Sequence, residues 1–149
     1  MKTIEELKCS IVDINYIIED IIRENGLYCL LGEAKVGKSA IALQIANSVA
    51  NGFSFLNLKT NKTPVLYLST EMNPSETISR IKFMGLDLND KDFFYTFPDD
   101  NLTQISILKV EKEIAEFNEK YNGKLVFIDM FNGINFGNNY QDMSQNIFP

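Results

Sequence analysis

Eight consecutive residues, Gly32-Glu33-Ala34-Lys35-Val36-Gly37-Lys38-Ser39, constrain this chain more than anything else in its sequence. They read Gly-x-x-x-x-Gly-Lys-Ser. Before them runs Leu27-Tyr28-Cys29-Leu30-Leu31, an apolar segment of buried-strand type. After them comes a helical pattern from Ala40 to Ala50. Strand, glycine loop and helix, in that order, form the setting in which a main chain wraps a polyphosphate. Gly32 and Gly37 permit backbone conformations that a side chain would block, so consecutive N–H groups can turn inward. The helix starting near Lys38 adds its unpaired N–H groups and the positive end of its dipole. Lys38 is expected to reach β- and γ-phosphate oxygens, and the Ser39 hydroxyl to join a Mg²⁺ shell. Gly32 to Ser39, with Ala40 behind them, are therefore the expected nucleotide-binding residues. Lys35 either helps to neutralise phosphate or is a solvated loop cation. Four fixed positions coincide by chance in roughly one chain of this size in a hundred. The flanking pattern makes coincidence rarer still, so a nucleoside triphosphate site is the expectation.

Composition narrows the setting. With 149 residues and 45% hydrophobic content, one domain spanning 1–149 with a sizeable core is expected. No apolar run approaches the ~20 residues of a membrane span. The start, Met1-Lys2-Thr3-Ile4-Glu5-Glu6, is acidic and unlike a signal peptide, which points to a cytoplasmic protein without membrane partners. Cys9 and Cys29 read as reduced thiols, Cys29 as core filler in the first strand. The absence of histidine removes His-based metal sites and Ser–His catalysis. The net charge of −6, with no Lys or Arg after Lys124, argues against this chain clamping nucleic acid by itself.

Strand and helix patterns alternate along the chain, which predicts an α/β fold of three layers around a mainly parallel sheet. Val65-Leu66-Tyr67-Leu68-Ser69 is the expected second strand, limited by Pro64. Asn73-Pro74-Ser75-Glu76 opens a helix with an N-cap, a first-turn proline and a capping-box glutamate; it runs to about Met84 and stops at Gly85. Phe93 to Phe97 is a third, aromatic strand. Ile105 to about Tyr121, with Ile105, Leu108, Ile114 and Phe117 apolar, is a surface helix. Leu125 to Ile128 is a fourth strand, expected to be buried, and the Asn/Gly-rich run from Asn132 to Tyr140 is loop. Near the N-terminus, Thr3 to Leu7 has helical character, and Ile11 to Ile22 is apolar enough to pack on the sheet edge.

Two acids acquire roles from their positions. Asp129 follows the strand Leu125–Ile128 directly, which delivers a carboxylate to the strand tip beside the phosphate loop, to hold the Mg²⁺ shell. Its alternative is a turn former or helix cap. Glu71 ends the second strand, where a carboxylate polarises water for attack on a γ-phosphate or is simply a solvated loop acid.

The segments Ile17–Ile22, Gly26–Ser39, Val49–Gly52, Val65–Glu71 and Ser79–Ile81, with the Asp129-ended strand, resemble a RecA-like P-loop ATPase. The group they look like includes the plasmid- and phage-encoded hexameric RepA-type replicative helicases, over about residues 14 to 132. That resemblance implies ATP and Mg²⁺ as cofactors and a role in DNA replication or recombination. It also implies a hexameric homo-oligomer that meets DNA only as a full-length ring. It implies Glu71 as the catalytic base, with Lys38 and Ser39 on phosphate and metal and Asp129 supporting the metal. Arg80, one of two arginines, matches a family position on the following helix; a structural ion pair is its other reading.

The chain departs from the family after Asp129, where a further strand with a polar phosphate sensor and an arginine are expected and only twenty residues follow. It resembles the N-terminal portion of a larger ATPase, with a core incomplete on its C-terminal side and hydrolysis by this portion in doubt. Two competing readings are a nucleotide-binding switch without turnover and a small phosphotransferase. The scarcity of arginine weighs against the second. Partition-type ATPases place a lysine just after the first glycine of the loop, and here that residue is Glu33.

Overall fold

Three parallel strands form the centre of the molecule, and their order follows from which segments are apolar on both faces. The computed structural model describes residues 3–5, 14–70, 72–87, 91–98 and 104–136. Within these, β1 (Tyr16–Ile18) and β2 (Ile22–Arg23) form an antiparallel hairpin, followed by α1 (Lys38–Asn51), β3 (Val65–Ser69) and α2 (Pro74–Phe83). Then come β4 (Phe93–Thr96), β5 (Ile105–Ser106), α3 (Ile107–Tyr121), β6 (Leu125–Asp129), a 3₁₀ turn at Phe131–Gly133 and β7 (Ile134–Asn135). The sheet order is β4-β3-β6, all parallel, with Tyr67 level with Tyr95 and Phe127, and Ser69 level with Asp129. β3 is buried along its whole length because it has a strand on each side and helices on both faces.

Alternation along β3 sorts the core into two halves. Val65 and Tyr67 point into a cluster with Leu43, Ala46 and Val49 of α1, Ile81 of α2 and Ile17, Ile18 and Ile22 of the hairpin. Leu66 and Leu68 point the other way, onto Val110 and Phe117 of α3, with Ile105 and Ile134. The expected three-layer α/β arrangement with a mainly parallel sheet is what forms.

Local signals explain the helix limits. Asn73 caps α2, its side chain accepting from Glu76 N–H at 2.9 Å while the Glu76 carboxylate accepts from Asn73 N–H at 3.4 Å. Gly85 then adopts φ +65°, which ends the helix where the sequence placed its stop. Ser106 caps α3, so that helix starts at Ile107, and Ile105 belongs instead to β5, paired in parallel with Ile134. Leu108, expected on its apolar face, is exposed, while Val110 is buried.

Several expectations are corrected. Leu27 to Leu31 is not a strand: residues 26–33 have no regular structure, Leu27 is fully exposed and Leu31 is 80% exposed. A strand needs a neighbour for its backbone groups, and among the described residues none lies alongside; apolar patterning reports burial tendency, not pairing. Cys29 is exposed with that segment and is not core filler. β6 is half-buried throughout, not buried, because it ends the sheet on one side among the described residues. The N-terminal isoleucines Ile17, Ile18 and Ile22 do pack, as a hairpin over α1; Ile4 and Glu5 are helical, and Cys9 and Ile11 lie outside the described residues. Part of the expected loop after Asn132 is ordered as the 3₁₀ turn and β7, and Gly137 to Tyr140 lie outside the described residues. Among the described residues no helix is long and apolar enough to cross a membrane.

Candidate functional site: a glycine loop and a strand-end carboxylate

The loop before α1 is held by its own lysine. Lys38 Nζ donates to Gly32 O at 2.9 Å and to Glu33 O at 2.6 Å, closing residues 32–38 into a ring. Gly37 has φ +97°, a left-handed conformation that an L side chain resists, and Lys35 has φ +64°. A Cβ on Gly32 would sit 3.2 Å from Cγ2 of the exposed Val36, a contact that a shift of a few tenths of an ångström in that side chain would relieve. Glu33, Ala34, Lys35 and Val36 are exposed around this ring, while Ser39 and Ala40 are half-buried in the first turn of α1.

The start of α1 differs from those of α2 and α3. Both of the latter have a side chain accepting from their first-turn N–H groups. α1 is preceded by Gly37, which has no side chain to cap it, and among the described residues no side-chain cap bond forms there. With its first-turn N–H donors, the loop backbone and one ammonium group, the residues suit a polyphosphate.

The second wall of the candidate site is the end of β6. Val49, near the C-terminal end of α1, accepts from Thr63 N–H at 3.4 Å, just before β3 begins. The N-terminal end of α1 therefore lies toward the other end of the strands, where Ser69 and Asp129 stand. Asp129 shares its register and face with Val65, Tyr67 and Phe127, the face that α1 covers. Tyr67 Oη donates to Asp129 Oδ2 at 2.7 Å. Burial pushes the Tyr67 phenol far above its ordinary value, and the hydrogen bond to Asp129 pushes it in the same direction.

Backbone and hydroxyl bonds lock the two strand ends together. Thr70 N–H donates to Asp129 O at 2.8 Å, and Thr70 Oγ1 both accepts from Met130 N–H and donates to Met130 O, each at 2.9 Å. Gly133 approaches Thr70 so closely that a Cβ there would overlap Oγ1. Ser69 Oγ accepts from Met72 N–H at 3.3 Å and fixes the chain's exit from β3. Glu71 lies outside the described residues, between these two anchored neighbours. Arg80 of α2 is exposed, and its charge acts on the phenols of Tyr67 and Tyr95.

The sequence reading named the loop, Asp129 and Glu71 but missed Tyr67, Thr70 and Gly133. The signal for Tyr67 was present: two residues before Ser69 on β3, it falls on the Asp129 face once the strands are in register. A cavity of about 230 Å³ lined by Glu24, Thr63, Tyr121 and Lys124 lies at the other end of the strands and takes no part in this site.

A family model described as an AAA domain matches residues 2–147, nearly the whole chain. The chain belongs to the AAA domain family. Comparison with curated proteins and with solved structures gives no match. Membership makes this a domain of an ATPase family of the P-loop kind, and the mixed α/β fold with its mainly parallel sheet agrees with that.

Proposed function

We propose that this AAA domain binds ATP with Mg²⁺ and forms the nucleotide-binding core of a RecA-like, ring-forming motor of the replicative-helicase type that acts on DNA. One observation carries the nucleotide part. An uncapped helix led by Gly37 bears Lys38 and Ser39, and its sheet face ends in Asp129. In this reading Lys38 exchanges the carbonyls of Gly32 and Glu33 for phosphate oxygens. Loop residues 32–37 and Ala40 offer backbone N–H groups, and Lys35 adds exposed positive charge. Ser39 and Asp129 would hold Mg²⁺, whose charge, when bound, would polarise the terminal phosphate. Glu71, between the anchored Thr70 and Met72, orients a water and accepts its proton. The DNA role is supported by the likeness of the Val65–Glu71 and Ser79–Ile81 segments to replicative helicases.

Titration of the purified chain with ATP and GTP, with and without Mg²⁺ and single-stranded DNA, tests this. ATP binding strengthened by Mg²⁺ is expected, with DNA-stimulated turnover only in an assembled oligomer. No heat of binding for either nucleotide would overturn the reading. The lack of Lys and Arg after Lys124 favours one second reading, a nucleotide switch that never touches DNA. Assembled protein whose turnover ignores DNA would select it.

A further inference from the structure

Tyr67 is the one side chain hydrogen-bonded to the Asp129 carboxylate among the described residues, and its bond follows from the sheet. Tyr67 lies level with Phe127, so Asp129 is its diagonal neighbour two residues on. An aromatic side chain leaning along its strand spans that diagonal. The ring has little freedom to do otherwise. It is 0% exposed and stacks on Tyr95 at 4.9 Å and on Phe127 at 5.4 Å between centroids, with Phe93 at 6.4 Å. A buried phenol needs an acceptor, yet β3 has backbone neighbours on both sides, and its acceptor is the carboxylate at the sheet's edge.

We propose that Tyr67 is a positioning residue for Asp129: its clamped hydroxyl engages Oδ2, fixes the carboxylate's rotation and leaves Oδ1 as the oxygen for the Mg²⁺ shell. This rests on the ATP·Mg²⁺ reading above. Among the described residues no hydrogen bond reaches Oδ1. Backbone bonds from Thr70 hold the main chain of Asp129 and Met130, so Tyr67 controls the remaining torsions.

The experiment measures the ratio of affinities for a non-hydrolysable ATP analogue with Mg²⁺ and with EDTA, by calorimetry. In Tyr67→Phe the Mg²⁺-free affinity should be unchanged, while the enhancement by Mg²⁺ falls about tenfold, as when a group orienting a metal ligand is removed. Tyr95→Phe strips a neighbouring ring on the same face of its hydroxyl and should keep the full enhancement. In an Asp129→Asn background, Tyr67→Phe should have no further effect on the ratio. An unchanged ratio in Tyr67→Phe, an equal loss in Tyr95→Phe, or additive losses in the double variant would each overturn the proposal. Unsubstituted protein that binds the analogue equally with and without Mg²⁺ would overturn it too, leaving phosphate binding intact; no binding at all would sink the ATP reading itself. Should Tyr67→Phe not fold by circular dichroism, 3-fluorotyrosine at position 67 replaces it. Its fluorine resonance should move when Mg²⁺ is added to the nucleotide complex, and a still resonance would defeat the proposal.

Discussion

The two walls of the proposed site are built by opposite means. The β3–β6 wall is sheet: Tyr67, Ser69, Thr70 and Asp129 are tied by register, ring stacking and hydrogen bonds. The loop wall is exposed main chain whose tie across its span is Lys38 on two of its own carbonyls. In the function proposed above, those two bonds are what a phosphate would replace. One wall would then be preformed, and the other stabilised by an interaction it must give up to bind. The contrast predicts where substitutions are felt: in the sheet wall they cost stability, and in the loop wall they cost binding.

The largest effect expected is on the sheet. Leu68 is fully buried on β3, against α3. Leu68→Ala removes buried methyl groups and leaves a cavity, which costs about 2–5 kcal/mol. Urea denaturation reads this directly, and a loss below about 1 kcal/mol would deny β3 its central place. Next comes Lys38→Ala. Losing charge-assisted hydrogen bonds worth about 1.5–3 kcal/mol each should weaken ATP binding by roughly 100-fold or more. The unfolding midpoint without nucleotide should barely move, since the lysine side chain ties only an exposed loop. Unchanged affinity in calorimetry would remove Lys38 from the site; a large stability loss would erase the contrast between the walls.

What the sequence revealed and what it withheld divide along the same line. Elements whose cause is local were legible. The Asn73–Pro74–Glu76 start and the Gly85 stop lie in a single turn each, and α2 falls between them. The glycine loop was legible because its chemistry demands fixed residue types at fixed spacing. Asp129 was found as a polar residue that ends an apolar run. Features that depend on pairing were not legible. Leu27 to Leu31 has a strand's composition without a strand's neighbour, and Ile105–Ser106 is a strand only because Ile134–Asn135 returns beside it. Tyr67 was legible only as a residue of the second strand, and register is what brings it to Asp129. The partner of a side chain across a sheet is set by strand order, which no single strand encodes.

A smaller effect concerns the phenols of the sheet wall. Tyr95 Oη and Thr77 Oγ1 are buried, and among the described residues neither makes a hydrogen bond of normal geometry. Burial raises the Tyr95 phenol above its ordinary value of 10.0, and the nearby Thr77 hydroxyl offsets this only in part. Below pH 10 the phenol is protonated whether the chain is folded or not, so its full contribution to stability is present. As pH climbs past 10 the unfolded chain releases this proton while the folded chain retains it, and stability declines. The slope reaches about 1.4 kcal/mol per pH unit for one phenol. Tyr95→Phe should flatten the decline by about that slope in urea titrations above pH 10. An unchanged slope would place the Tyr95 hydroxyl in water.

The smallest effect is the sharpest test of the comparison. Leu31 adjoins Gly32, at the foot of the glycine loop, and is 80% exposed, whereas its sequence neighbourhood reads as a buried strand. If the loop wall is exposed main chain, Leu31→Ala removes surface already in water and shifts stability by no more than about 0.5 kcal/mol. If residues 27–31 are instead strand in solution, held by another segment or a second copy of the chain, the same substitution opens a cavity costing about 2–5 kcal/mol. The second copy would also make the loss depend on protein concentration. Urea denaturation of Leu31→Ala at two protein concentrations separates the three cases. A loss near that of Leu68→Ala would mean that both walls are sheet, with Lys38 anchored on a strand rather than closing a free loop.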